Sequence, residues 1–127
     1  SCFEGSHEVY FCAVSTGYVK EGKWLTPPEV TPIWRKMISL HMSAGGVSQY
    51  DSPGIAWTTL YHAEGQAIHT AYWHNNFGIA LSHGCINCLP EDAKWIWRWT
   101  NPVVEYYPGE LTVRSAENST YIHVIES

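Results

Sequence analysis

The stretch Ser82-His83-Gly84-Cys85-Ile86-Asn87, with Leu89-Pro90-Glu91-Asp92 close behind it, does most to limit what this chain can become. Proline at a first helical position with two acids in the first turn predicts a helix start. Leu89, Ala93, Ile96 and Trp97 or Trp99 then recur at helical spacing, until Thr100-Asn101-Pro102 stops the run. No other segment has a comparable helical pattern, so this helix must lay its apolar face on a sheet, and the predicted class is mainly β with one principal helix after Cys85. A cysteine between a glycine and a helix N-terminus, with histidines nearby, is also where a thiol becomes reactive.

The rest of the chain supplies the sheet. Residues 1–14 alternate around Gly5-Ser6, with Val9, Phe11 and Ala13 on one face, and read as a β-hairpin. Residues 20–30, with Gly22 and Pro27-Pro28, read as a loop. Residues 31–42 hold one or two strands. Residues 43–54, with Gly45-Gly46 and Asp51-Ser52-Pro53-Gly54, read as the longest flexible region, a place for a lid. Strands follow at 57–61 and 66–70, so His69 stands near a strand end, a rigid position from which to aim a base. A loop rich in aromatic and amide side chains fills 71–82, and short strands are expected at 103–107, 111–114 and 120–125.

At 127 residues the chain is expected to form one domain over its full length, 1–127, excised from a longer exported precursor. Hydrophobic residues at 45% against 15% charged exclude a disordered chain. A net charge of -5 with seven Lys plus Arg spread along the chain leaves no basic stripe, so nucleic acid is excluded as a partner. No apolar run reaches the ~20 residues of a membrane span. Seven Trp and eight Tyr serve either as large core contributions or as a carbohydrate or peptide platform.

Among the chemistry-bearing residues, Cys85 is the candidate nucleophile, and Gly84 frees the backbone so that the amides of Gly84 and Cys85 can receive an oxyanion. Tyr72, Trp73 and His74, directly after His69-Thr70-Ala71, either border a substrate groove or are a core aromatic pair with a surface histidine, and Ser82 and Asn87 are expected to scaffold the turn. Cys2 and Cys12 flank the first hairpin turn, and are either bridged or two buried free thiols. Cys88, three positions after Cys85, is expected to be a small buried apolar side chain facing the core.

His69, sixteen positions before Cys85, completes a pattern that resembles the signature of the L,D-transpeptidase catalytic domain, also called the YkuD domain: His, a dozen or so residues, then Ser/Thr-His-Gly-Cys-hydrophobic-Asn/Arg. Val14-Ser15-Thr16-Gly17, Thr26-Pro27 and Trp73-His74-Asn75-Asn76-Phe77-Gly78 look like family segments in family order, and the resemblance runs from about Cys2 to Val104. It implies a sandwich-like L,D-transpeptidase fold and an extracytoplasmic cysteine acyltransferase that cross-links peptidoglycan. Tetrapeptide stems would be its partners, β-lactams of the carbapenem type its covalent inhibitors, and it would need no metal or cofactor. It further implies His69 as general base with its ring oriented by the Thr70 carbonyl, His83 in support of the oxyanion site, and the Val14–Gly17 corner beside the active site. The twelve residues between His69 and Ser82 are fewer than is usual in the family, which predicts a trimmed acceptor side.

Two other readings compete. His62-Ala63-Glu64 with Cys85-Ile86-Asn87-Cys88 imitates the His-x-Glu and Pro-Cys-x-x-Cys signature of the zinc deaminases, although Gly84 stands where those have proline. A non-catalytic wall-binding module would use the aromatics, but it has no need of a paired Cys and His.

Overall fold

Among the described residues, turn chemistry and strand-forming runs give eleven strands and one helix, in the order β1 (Cys2–Glu4), β2 (His7–Tyr10), β3 (Val19–Lys20), β4 (Lys23–Trp24), β5 (Val30–Pro32), β6 (Arg35–Ala44), β7 (Tyr50–Leu60), β8 (Ala67–Thr70), β9 (Ile86–Cys88), α1 (Pro90–Trp99), β10 (Glu110–Thr112) and β11 (Tyr121–His123). This computed structural model describes all residues except 18, 21–22, 25, 45–49, 64, 71–84, 108, 114–117 and 126–127, and describes only the backbone of 19–20, 23–24, 40–44 and 50–54. The class is as expected, mainly β with one helix.

The main sheet has five strands in the order β10-β6-β7-β8-β9. All its pairings are antiparallel except the last, in which β8 and β9 run parallel with Ile68 opposite Ile86, His69 opposite Asn87 and Thr70 opposite Cys88. A parallel neighbour needs a crossover rather than a tight turn, and the chain between Thr70 and Ile86 supplies it. Helix α1 covers this sheet through Ala93, Ile96 and Trp97. These close on a core of Ile33, Tyr61, Ile68 and Cys88, with Val14, Trp57, Ile86, Ile122 and Val124 packed around it. Trp97 is 1% exposed and meets Trp57 edge-on at 5.3 Å, so truncating it to alanine removes on the order of 3–5 kcal/mol of packing.

The first hairpin, Gly5 at its turn with φ of +63°, is clasped onto the helix. Tyr10 stacks on Trp95 at 4.0 Å and its hydroxyl donates to the Asp92 carboxylate, while Trp99 Nε1 donates to Glu4 Oε1 at 3.0 Å. The clasp brings the segment after β2 against the core.

Four expectations need correction. Residues 50–54, read as part of a loop, form the first half of β7, because β6 carries their hydrogen-bonding partners: Ser52 pairs with Met42 and Tyr50 with Ala44. Within the stretch read as a loop at 20–30, Lys23–Trp24 pairs with Val19–Lys20, and Val30 opens β5 against β11. Residues 103–107 form no strand. Val103, Tyr106 and Tyr107 are exposed, and no neighbouring strand takes up their backbone. The first hairpin ends at Tyr10, short of the expected residue 14, so Phe11 and Ala13 do not share a strand face with Val9, and Phe11 is 73% exposed. The 45–49 part of the proposed lid lies outside the described residues.

Candidate active site

The parallel register of β8 and β9 decides which side chains meet. Residues opposite one another in such a pair share a face, and successive residues alternate faces. Ile68, Ile86, Thr70 and Cys88 therefore share the face under the helix, whereas His69 and Asn87 share the other. Cys85 precedes β9 by one residue, and the Ala67 backbone of β8 hydrogen-bonds its thiol.

The His69 ring is held by its own strand. Nδ1 lies 2.7 Å from the Thr70 carbonyl oxygen. A carbonyl only accepts, so Nδ1 carries the proton and the neutral ring presents Nε2 as its base. Burial pulls the His69 pKa below the ordinary 6.5, and the Thr70 carbonyl opposes that shift in part. Burial likewise pushes the half-buried Cys85 thiol above 9.0, against the Ala67 hydrogen bond. Burial thus disfavours the charged form of each group, imidazolium and thiolate alike.

Asn87 is 2% exposed and exchanges two backbone hydrogen bonds with Ser15, at 2.8 and 3.0 Å. The Val14–Gly17 corner thus lies beside β9. Gly17 N–H donates to Thr26 Oγ1 at 2.7 Å, which joins the Thr26-Pro27 segment to the same corner. Of the predicted site residues, His69 and Thr70 lie on β8 beside Asn87 on β9, and Cys85 meets the Ala67 backbone of β8, while Tyr72, Trp73, His74, Ser82, His83 and Gly84 lie outside the described residues. Cys88 is fully buried in the core, as expected. Ser15 is a neighbour whose contact with Asn87 no local pattern announces. A cavity of about 310 Å³ at the C-terminal end of the helix is lined by Trp97, Arg98 and residues 103–106, none of them predicted site residues.

The zinc constellation does not assemble among the described residues. No group of three or more His, Cys, Asp or Glu side chains among those residues is placed to hold a metal, and His62 Nε2 lies 3.0 Å from Glu29 Oε1.

A buried imidazole oriented by a backbone carbonyl thus stands on β8, the strand that pairs in parallel with β9 just after Cys85. The chain matches the model of the L,D-transpeptidase catalytic domain (YkuD) over residues 2–123 and belongs to that family. Its fold is that of solved L,D-transpeptidases. The Ldtfm–avibactam carbamoyl enzyme is 24% identical with a TM-score of 0.64, over 90% of this chain and 39% of that one. L,D-transpeptidase 3 from Mycobacterium tuberculosis is 23% identical with a TM-score of 0.60, over 86% and 48%. LdtMt1 in complex with imipenem is 22% identical with a TM-score of 0.59, over 80% and 47%. The chain thus spans less than half the length of these relatives. No curated protein sequence matches it significantly.

Proposed function

We propose that this domain is a peptidoglycan L,D-transpeptidase in which Cys85 is the nucleophile and His69 its base. The observation that carries the reading is the His69 Nδ1 to Thr70 carbonyl contact, which leaves Nε2 basic on the strand whose Ala67 backbone hydrogen-bonds the Cys85 thiol. Cys85 gives its proton to Nε2 as its sulfur attacks the carbonyl carbon between the third and fourth residues of a tetrapeptide stem. The tetrahedral oxyanion is received by the backbone amides of Gly84 and Cys85, with His83 in support. Donors of that kind contribute about 3–4 kcal/mol each in comparable acyl transfers. The imidazolium returns the proton to the leaving amine, D-alanine departs, and a thioester remains. An acceptor amine from a second stem, deprotonated by the same imidazole, attacks the thioester and frees the Cys85 thiol, giving a 3–3 cross-link. Tyr72 and Trp73 border the stem, and Ser82 and Asn87 brace the turn.

Substrate and family support an extracytoplasmic site of action, at the periplasm or wall, and no helix among the described residues is long and apolar enough to cross a membrane. Related structures carry imipenem and a faropenem-derived adduct. On this reading carbapenem-type β-lactams acylate Cys85 here.

The test is mass spectrometry of tetrapeptide muropeptides incubated with the protein. Loss of terminal D-alanine with formation of 3–3 dimers is expected, and Cys85→Ala should abolish both. Full turnover by Cys85→Ala would end the assignment.

A further inference from the structure

The other three cysteines gather where β9 meets the core. Cys88 is fully buried at the end of that strand, and Cys2 and Cys12, both half-buried, pack against the same core cluster. The thiols of Cys12 and Cys88 are in hydrogen-bonding contact. What places them together is the clasp of the first hairpin on the helix, Tyr10 on Trp95 and Asp92, two residues before Cys12. Nothing in the proposed acyl transfer uses these groups.

We propose that Cys12 and Cys88 are a disulfide-forming pair, closed by exchange with an oxidised thiol compound, which staples the segment after β2 to the strand carrying Asn87 and leaves Cys85 outside the exchange. Three features support this. Contact between two thiols is the geometry that bridging needs, with little backbone movement. Cys12 is open enough for an external disulfide to reach, whereas Cys88 is sealed, so the order of attack is defined. Cys85 hydrogen-bonds the Ala67 backbone instead of another thiol, which separates the nucleophile from the pair.

The exchange balances in two steps. The Cys12 thiolate attacks one sulfur of the oxidant's disulfide, and the oxidant's other sulfur leaves as a thiolate. Cys88 then loses its proton to that thiolate, attacks the Cys12 sulfur and displaces the remaining thiol of the oxidant, so the protein loses two hydrogens and the oxidant gains them. The hydrogen bond from Cys88 holds the Cys12 pKa below its ordinary 9.0, which favours Cys12 as the attacking group. Cys2, Tyr10, Cys88 and Asp92 are the titratable groups beside the Cys12 thiol. The bridge spans 76 positions of sequence, and long closed loops restrict the unfolded chain most.

The experiment exposes reduced protein to oxidised glutathione under native conditions, quenches with iodoacetamide and maps peptides without reduction. The expected product is a Cys12–Cys88 peptide pair two hydrogens lighter than its parts, with Cys85 carrying the label. It should form equally in Cys2→Ser, disappear in Cys88→Ala, and be accompanied by a higher melting temperature than the reduced protein. A Cys2–Cys12 bridge, a bridge to Cys85, a lasting glutathione adduct on Cys12, or four alkylated thiols would each overturn the proposal. Because the map reads thiols and not turnover, it stands apart from the test of acyl transfer.

Discussion

Lys36 lies in β6 at 0% exposure, and its Nζ donates to the carbonyls of Thr100 at 2.6 Å and Pro102 at 2.8 Å, where helix α1 ends. Its ammonium sits 5.5 Å from the Trp97 ring. These contacts satisfy carbonyls that a helix C-terminus leaves orphaned, yet burial lowers the Lys36 pKa from 10.5 to about 8. A depressed cation pKa means that the unfolded chain binds the proton more tightly between those two values. Stability attributable to Lys36 therefore rises as pH climbs from about 8 to 10.5. The size is roughly 3 kcal/mol, from about 1.4 kcal/mol per pKa unit. Buried thiols and Tyr10, whose pKa is raised to about 12, titrate with the opposite sign in alkali, so the comparison must be with Lys36→Met. At pH 7 the variant relieves the buried charge and orphans two carbonyls, each worth about 1–3 kcal/mol, and the terms nearly cancel. Near pH 11 only the loss remains. Urea unfolding of both proteins from pH 7 to 11 should show the advantage of the native lysine growing by roughly 3 kcal/mol. A difference that stays flat would refute the buried-ammonium account.

Other consequences can be measured directly. With His69 shifted below 6.5 and Cys85 above 9.0, acyl transfer should hold a plateau through neutral pH and fall on the acid side as His69 is protonated. Alkylation of Cys85 by iodoacetamide should keep rising above pH 9; a high rate persisting to pH 5 would mean a preformed thiolate–imidazolium pair instead. Gly109 has φ of +79°, and a Cβ there would stand 2.8 Å from Ile38 Cδ1 and 3.1 Å from the Tyr106 carbonyl oxygen. Gly109→Ala should cost about 2–4 kcal/mol in denaturant unfolding, and adding Ile38→Val should recover only the steric part. Full recovery in that double variant would show that the backbone conformation costs nothing.

The local chemistry of this protein was legible because contiguous residues encode it. Proline, two acids and a 3.6-residue apolar period announce α1 without help from the rest of the chain, and its end at Trp99, with Thr100 as cap, follows from the Pro102 stop. The strand carrying His69 and the motif carrying Cys85 were visible for the same reason. Residues 50–54 were misread because Gly, Pro, Ser and Asp favour turns on their own, and only the long partner β6 makes them strand. Residues 103–107 erred the other way, since an apolar alternation becomes a strand only where a neighbour takes its hydrogen bonds.

The sequence by itself thus determined the reactive groups, the single helix and the β class. Tertiary structure alone decided that β9 runs parallel to β8, which puts Asn87 on the face of His69, and that Cys88 meets Cys12. It alone decided that Lys36 is buried at a helix end rather than in water. The physical reason is common to these cases. Pairing direction, register and burial depend on residues tens of positions apart, whose contact is set by the closing of the whole core and by no pattern within either segment.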